Sequence, residues 1–397
     1  MWDSLRLRLF CQKNQVKNKV VFSVFAKVST AGRLLSQKAK SPSSFTCHFH
    51  SMSHSTVSKI IHSRNVKIAV VIPCFKVDNH IWEVVQGIPS YVQMIVLVDD
   101  CSPGETPVLV DQIAREHGQR VAALHHSVNQ GVGGATMTGM QYAYDHQADI
   151  VVKMDGDGQM DPEYLPDLLL PILRGQADFT KGNRFASSDV LQKMPTVRLI
   201  GNSGLSFLNR LASGYWNILD PTNGYFAMRS ELVLRFSQKR LDKRYFYESS
   251  QLIELGICRA VVRDVPMRTI YGDEVSGLSA RKALVEFPPK LLFGFCRRVW
   301  ITKILLTTTP EFILVFFGFL LFAFGAIWGS YHWIQSMIVG QAATAGTVMF
   351  AALPCMIGLQ MILFALLFDI QSVPVTPLCH PLGNNLPPDS DQSHDTV

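Results

Sequence analysis

Short β-branched runs alternate with amphipathic stretches between residues 67 and 154, the pattern of a parallel sheet whose strands are joined by crossover helices. Residues 67–72 are apolar after the first position, which predicts a strand buried on both faces and stopped by Pro73. Residues 94–98 predict a second strand running into Asp99 and Asp100, residues 120–125 a third, and residues 149–154 a fourth that ends on Asp155 and Asp157. Helices are expected over residues 82–88, 105–117 and 134–146, and a further strand over 177–181. In open α/β sheets ligands lie beyond the carboxyl ends of the strands, so Pro73, the Asp99-Asp100 pair and the Asp155-Asp157 pair are expected to face one crevice.

The pattern changes after Pro288-Pro289. Residues 290–309 mix basic and apolar positions, as a helix lying at a membrane surface does. Residues 312–331 and 347–368 are uncharged apolar runs of 20 and 22 residues. Each is long enough to cross a hydrocarbon core of about 30 Å, and soluble cores seldom hold uncharged runs of that length. Lys290, Arg297, Arg298 and Lys303 precede the first run, whereas residues 329–346 contain neither Lys nor Arg. Both ends of the hairpin, and the preceding α/β domain with them, are therefore expected on the cytoplasmic side of a bacterial inner membrane or its equivalent. The expected organisation is a basic extension over 1–66, disordered or the product of an over-long gene start, then an α/β domain over 67–285 and an interfacial segment over 286–310. A two-helix transmembrane hairpin over 311–370 and a disordered, Pro-rich tail over 371–397 complete it.

Composition alters this picture little. A hydrophobic content of 48% in 397 residues suffices for one α/β core together with a hairpin. The net charge of +6 is partly an end effect, because residues 1–51 carry nine Lys or Arg and one acid, Asp3. The remainder is nearly balanced, so no nucleic-acid partner is indicated. The same basic, Ser-rich segment has the composition of an organelle transit peptide, while Met52 offers an alternative start. Eight cysteines without a CxxC pair exclude a zinc ribbon and read as free thiols in a reducing compartment.

Two carboxylates one residue apart at the end of a buried strand repel each other unless a cation is shared between them. Asp155 and Asp157, with Gln159 as a neutral oxygen donor, suit Mg²⁺ or Mn²⁺, which take few protein carboxylates and complete their shell with substrate phosphates. A solvated acidic turn has the same letters; the position at a strand end favours the metal. The stretch Asp99-Asp100-Cys101-Ser102 can accept hydrogen bonds from a base or ribose hydroxyl, or form an Asx turn that caps the next helix. Residues 129–135, Asn-Gln-Gly-Val-Gly-Gly-Ala, read as an anion-binding loop at a helix start, although they lack the spacing of a dinucleotide fingerprint.

Six segments, Val71-Ile-Pro-Cys-Phe75, Val98-Asp-Asp-Cys-Ser102, residues 129–135, Met154-Asp-Gly-Asp-Gly-Gln159 with Asp161-Pro-Glu163, Thr180-Lys-Gly-Asn-Arg184 and Asp220-Pro-Thr-Asn-Gly224, together resemble family 2 glycosyltransferases in order and spacing. The likeness is to the polyprenyl-phosphate branch, which includes dolichol-phosphate mannosyltransferase. It implies a GT-A fold, a Rossmann-like, mostly parallel sheet with flanking helices. It also implies an inverting transfer from a nucleotide-sugar donor to a polyprenyl phosphate or other lipid-linked acceptor. By the same likeness Pro73, Phe75, Asp99 and Asp100 hold the nucleoside, Asn129 and Gly134 lie near the nucleotide, and Asp155, Asp157 and Gln159 hold the metal. Asp78 stands one place after a position where many members carry Glu. Arg184 and Arg268 are the candidate cations for the diphosphate, and Glu248 is the candidate base should the acceptor be a hydroxyl. Val132 stands where many members carry Lys or Arg, and residues 271–278 replace the family's late Arg-x-Gly-x-Ser element. A hydroxyl-directed transferase that extends a lipid-linked saccharide or polysaccharide, and a non-catalytic nucleotide-sugar-binding membrane subunit, are the competing readings. Homo-oligomerisation stays open.

Overall fold

The computed structural model describes residues 53–186, 196–236, 240–267, 280–305, 310–380 and 382. Seven strands form one sheet: β1 (Ile68–Cys74), β2 (Met94–Asp99), β3 (Val121–His125), β4 (Ile150–Lys153), β5 (Phe179–Asn183), β6 (Phe226–Arg229) and β7 (Val262–Pro266). The longer helices are α1 (His54–Arg64), α2 (Ile81–Gly87), α3 (Thr106–His117), α4 (Val132–Asp145), α5 (Leu165–Leu173), α6 (Thr196–Ser213), α7 (Tyr247–Cys258), α8 (Ala280–Val299), α9 (Pro310–Val339) and α10 (Ala345–Gln371).

Across the sheet the order is β3-β2-β1-β4-β6-β5-β7. All pairings are parallel except those of β6, which runs antiparallel between β4 and β5. Strands β4 and β5 therefore point the same way. The carboxyl ends of β1, β2, β4 and β5 share one edge of the sheet with the amino end of β6, and the candidate site residues gather at that edge.

Successive strand residues face opposite sides, and both sides are covered here. Ile68, Val70 and Ile72 enter one buried cluster with Val57 and Ile61 of α1 and Leu168 and Ile172 of α5. Ala69 and Val71 enter the opposite cluster with Ala135, Met140 and Ala143 of α4 and Leu252 of α7. A Cβ on Gly139 would collide with Cγ1 of Val71, so the close seat of α4 on β1 depends on that glycine.

The expected α/β class is present, with its mostly parallel sheet and flanking helices. Three features depart from expectation. Residues 54–64, assigned to a disordered extension, form α1, because Val57 and Ile61 one turn apart complete the core under β1. The helix expected to begin after the proline pair runs through Pro288 and Pro289, since Phe287 and Leu291 on either side are both buried with Phe246 and Ile253. The tail is ordered at least to residue 380: the amides of Leu378 and Cys379 donate to the buried Asp178 carboxylate at 2.9 Å, and Cys379 is buried. A buried carboxylate requires donors, and this segment supplies them.

Helices α9 and α10 are long and apolar enough to cross a membrane, and only 11% of each apolar window is buried within the protein. A soluble core helix would be mostly buried; these present Phe316, Phe319, Leu320 and Leu363 outward instead. They meet through small residues, with Gly358 against Gly318 O at 2.5 Å and Gly325 against Ala351 O at 2.6 Å for an added Cβ. Asp369, near the end of α10, accepts from Arg298 Nη1 at 2.9 Å, Arg298 Nη2 at 3.0 Å and Trp216 Nε1 at 3.0 Å. Arg298 also donates to the Leu211 and Ala212 carbonyls that end α6. The hairpin is thereby latched to the catalytic domain.

Candidate active site

A cleft of about 710 Å³ opens at the common strand edge, lined by Pro73 at the end of β1 and Phe75 just after it, Asp100 after β2, Asn129 after β3, Asp155 and Asp157 after β4, and by Arg244 and Tyr245 from the loop before α7. Six expected residues thus meet in one place: Pro73, Phe75, Asp100, Asn129, Asp155 and Asp157. Asp78, Asp99, Gly134, Gln159, Arg184 and Glu248 do not line it, and Arg268 lies outside the described residues.

Asp99 and Asp100 are each only 2% exposed and hold the site's walls together. Asp99 accepts from the Ser102 amide at 3.2 Å, closing a turn at the end of β2, and lies 3.6 Å from His125 Nδ1. Asp100 accepts from the amides of Gln130 at 2.8 Å and Gly131 at 2.7 Å and from His126 Nδ1 at 2.7 Å. Asp78 accepts from the Thr106 hydroxyl at the start of α3.

The glycine-rich loop is not an open phosphate cradle. The amides of Gly133 and Gly134, which would have faced an anion, donate to the Lys243 carbonyl at 3.0 and 3.2 Å. Gly131 has φ +89, and a Cβ there would strike the same carbonyl. Gly131 and Gly133 admit the backbone of residues 242–244 against the helix start, whereas a Cβ on Gly134 would meet the Gln130 side chain.

Below Asp155 lies a buried group of charges. Lys153, 1% exposed, sets its ammonium 2.5 Å from Asp155 Oδ1. Any side chain at Gly224 would meet this pair, with Asp155 Oδ2 at 3.1 Å from an added Cβ. Glu248, half-buried in the first turn of α7, feels Lys153, Lys181 and Asp155; burial pushes its pKa up, and the two lysines oppose that shift. Arg184 donates Nε to Asp220 Oδ2 at 2.7 Å and Nη2 to Oδ1 at 3.1 Å, so a fully buried carboxylate offsets its charge.

Lys181 is fully buried and donates to Asn223 O at 2.5 Å; burial lowers its pKa to about 8, against the pull of Glu248 and Asp220. The native state thus releases this proton at lower pH than the unfolded chain does. Between about pH 8 and 10.5 the unfolded chain holds more protons, so the Lys181 contribution should raise stability as pH rises, by on the order of 3 kcal/mol across the window. Thermal unfolding in detergent should show that rise in the wild type and a flatter profile in Lys181→Met.

Lys153, Lys181, Arg244 and Tyr245 were not singled out from the sequence. The signal for the first two was present, since each is the only charged residue in an otherwise buried strand. Nothing local marks Arg244 or Tyr245, because their place depends on the loop's packing against α4.

A family model described as Glycosyl transferase family 2 matches residues 69–235. A UDP-N-acetylglucosamine--dolichyl-phosphate N-acetylglucosaminyltransferase of Methanococcus voltae is 31% identical over 216 residues, covering 51% of this chain and 86% of that protein. The chain belongs to glycosyltransferase family 2. A polyprenol monophosphomannose synthase of Mycolicibacterium smegmatis is also similar, 29% identical over 48% of this chain and 74% of that one. Glucosyl-3-phosphoglycerate synthase from Mycobacterium tuberculosis, solved with Mn²⁺, UDP-glucose and phosphoglyceric acid, is similar at 18% identity with a TM-score of 0.45, covering 63% and 85% of the two chains.

Family 2 enzymes of this kind imply a divalent cation, and the residues present fit one of a particular sort. Among the described residues no group of three or more His, Cys, Asp or Glu side chains is placed to hold a metal. Asp155 and Asp157 suffice for a hard cation that draws most of its ligands from phosphate and water, and the Lys153 ammonium relieves the repulsion between them. The backbone N–H of Gln159 donates to Asp157 Oδ1 at 3.0 Å and helps to orient that carboxylate.

Proposed function

We propose that this family 2 glycosyltransferase transfers a sugar, with inversion and with a divalent cation, from a nucleotide sugar to a polyprenyl phosphate at the cytoplasmic membrane face. The observation that carries the proposal is the joining of a nucleotide-sized cleft to a hairpin latched by the Arg298–Asp369 pair. The lipids in the relatives' names, a dolichyl phosphate and a polyprenol monophosphomannose, support it. The basic residues ahead of the first apolar helix, set against a Lys- and Arg-free connection between the helices, support the cytoplasmic orientation.

In this reading Pro73 and Phe75 flank the nucleoside, while Asp155 and Asp157 would hold the cation. When bound, the cation neutralises diphosphate charge as a Lewis acid. Lys153 fixes the Asp155 carboxylate, and Arg244 and Lys76, both on the cleft wall, supply positive charge toward the leaving diphosphate. Arg184 acts more weakly, because Asp220 already balances it, and Arg268 remains the second expected cation. The domain limits proposed are a catalytic unit from α1 to β7 and an interfacial α8 leading into the hairpin.

A phosphate acceptor is anionic at neutral pH and needs no general base, whereas a hydroxyl acceptor does. The position of Glu248, close to Asp155 and two lysines, favours the hydroxyl-directed alternative enough to warrant a direct comparison. With polyprenyl phosphate as acceptor, Glu248→Gln is expected to keep kcat within about tenfold of the wild type. A loss of about 10²- to 10⁴-fold, the scale of a missing general base, would favour the hydroxyl-directed reaction.

A further inference from the structure

A second hollow of about 720 Å³ lies away from the cleft, between the loop over residues 240–246, α7 and α8. Arg240, Lys290 and Arg297 line it, against two carboxylates, Asp242 and Glu254. Lys290 pairs with Asp242 at 2.5 Å and Arg297 pairs with Glu254, while Arg240 has no ion-pair partner among the described residues. The hollow is therefore cationic in balance. Its rim is apolar: Phe293, which lines it, is 71% exposed, and Leu292 beside it is 63% exposed on the same helix. Excess positive charge beside exposed apolar side chains on a helix leading to the hairpin matches a phosphate headgroup whose tails enter a bilayer.

The same loop reaches the donor cleft. Asp242, which Lys290 holds, precedes Lys243, whose carbonyl accepts from Gly133 and Gly134 at the start of α4. The next two residues, Arg244 and Tyr245, line the cleft itself. We propose that the hollow binds the headgroup of an anionic phospholipid, and that the headgroup draws Lys290 from Asp242 and so loosens the loop that closes the start of α4. Membrane charge is then read at the donor cleft. The inference rests on membrane anchoring but not on the identity of the sugar acceptor, so it can fail independently of the transfer reaction.

The test is hydrogen exchange on the full-length chain in nanodiscs, with phosphatidylcholine alone or mixed with phosphatidylglycerol, read at the Gly133 and Gly134 amides. Anionic lipid should speed their exchange about two- to fivefold, the size expected for losing one partly exposed ion pair. Arg240→Gln, a change at an exposed position that leaves the Lys290–Asp242 pair intact, should abolish the response while keeping the phosphatidylcholine rate. Lys290→Gln should exchange fast in both lipids. Equal rates in the two lipids for the wild type, or a full response in Arg240→Gln, would overturn the proposal. An equal response to inorganic phosphate in phosphatidylcholine discs would also overturn it, by making the hollow a general anion site.

Discussion

Asp157→Ala should reduce transfer by about 10²- to 10³-fold while leaving the unfolding midpoint close to that of the wild type. Asp157 is half-buried on the cleft wall, and its expected task is to hold a cation rather than to complete the core. Asp155→Ala should lose as much activity and also stability, because it strands the Lys153 ammonium at 1% exposure without its partner. Removing one member of a buried pair costs about 3–5 kcal/mol where no water can compensate, and Asp155, at 30% exposed, should fall at or below the lower end. Activity against Mn²⁺ concentration, together with thermal unfolding in detergent, separates the two variants. Equal stability losses in both would refute the distinction between a metal-holding and a core-completing carboxylate.

Asp369→Ala should be among the most destabilising single changes in the chain. It leaves Arg298, 5% exposed, facing the end of the hairpin with only carbonyl partners at Leu211 and Ala212. The expected cost is about 3–5 kcal/mol, and the double change Arg298→Met with Asp369→Leu should recover much of it, since an apolar pair needs no counter-charge. Limited proteolysis and unfolding midpoints in detergent check both. A single variant within about 0.5 kcal/mol of the wild type would mean that the latch contributes little to how the hairpin is held.

The strands were legible in the sequence where local pattern and function coincide. The apolar run of β2 ends in Asp99-Asp100 and that of β4 runs into the acidic pair, so element, direction and crevice could be read together; β1, expected to stop at Pro73, pairs with β2 through Cys74. What depends on distant partners could not be. The Lys243 carbonyl that occupies the amides of Gly133 and Gly134 lies more than a hundred residues along the chain, so the loop reads as open when it is closed. Strand β6 is four residues long and its antiparallel insertion between β4 and β5 has no local signature, yet it brings Asn223 and Gly224 against Lys181 and Lys153. The order of residues 378–379 likewise follows from Asp178, some two hundred residues earlier. Lys153 and Lys181 are a different case, because a lone lysine in a buried strand announces a countercharge whatever the fold.

Transfer itself can be measured by incubating the purified full-length chain with Mn²⁺, radiolabelled sugar nucleotides and undecaprenyl or dolichyl phosphate, then extracting into organic solvent. The account predicts that label from one nucleotide sugar enters the organic phase only when lipid phosphate is present, and that Asp157→Ala leaves it in water. Donor binding by the protein without lipid-extractable product from any common nucleotide sugar would contradict it.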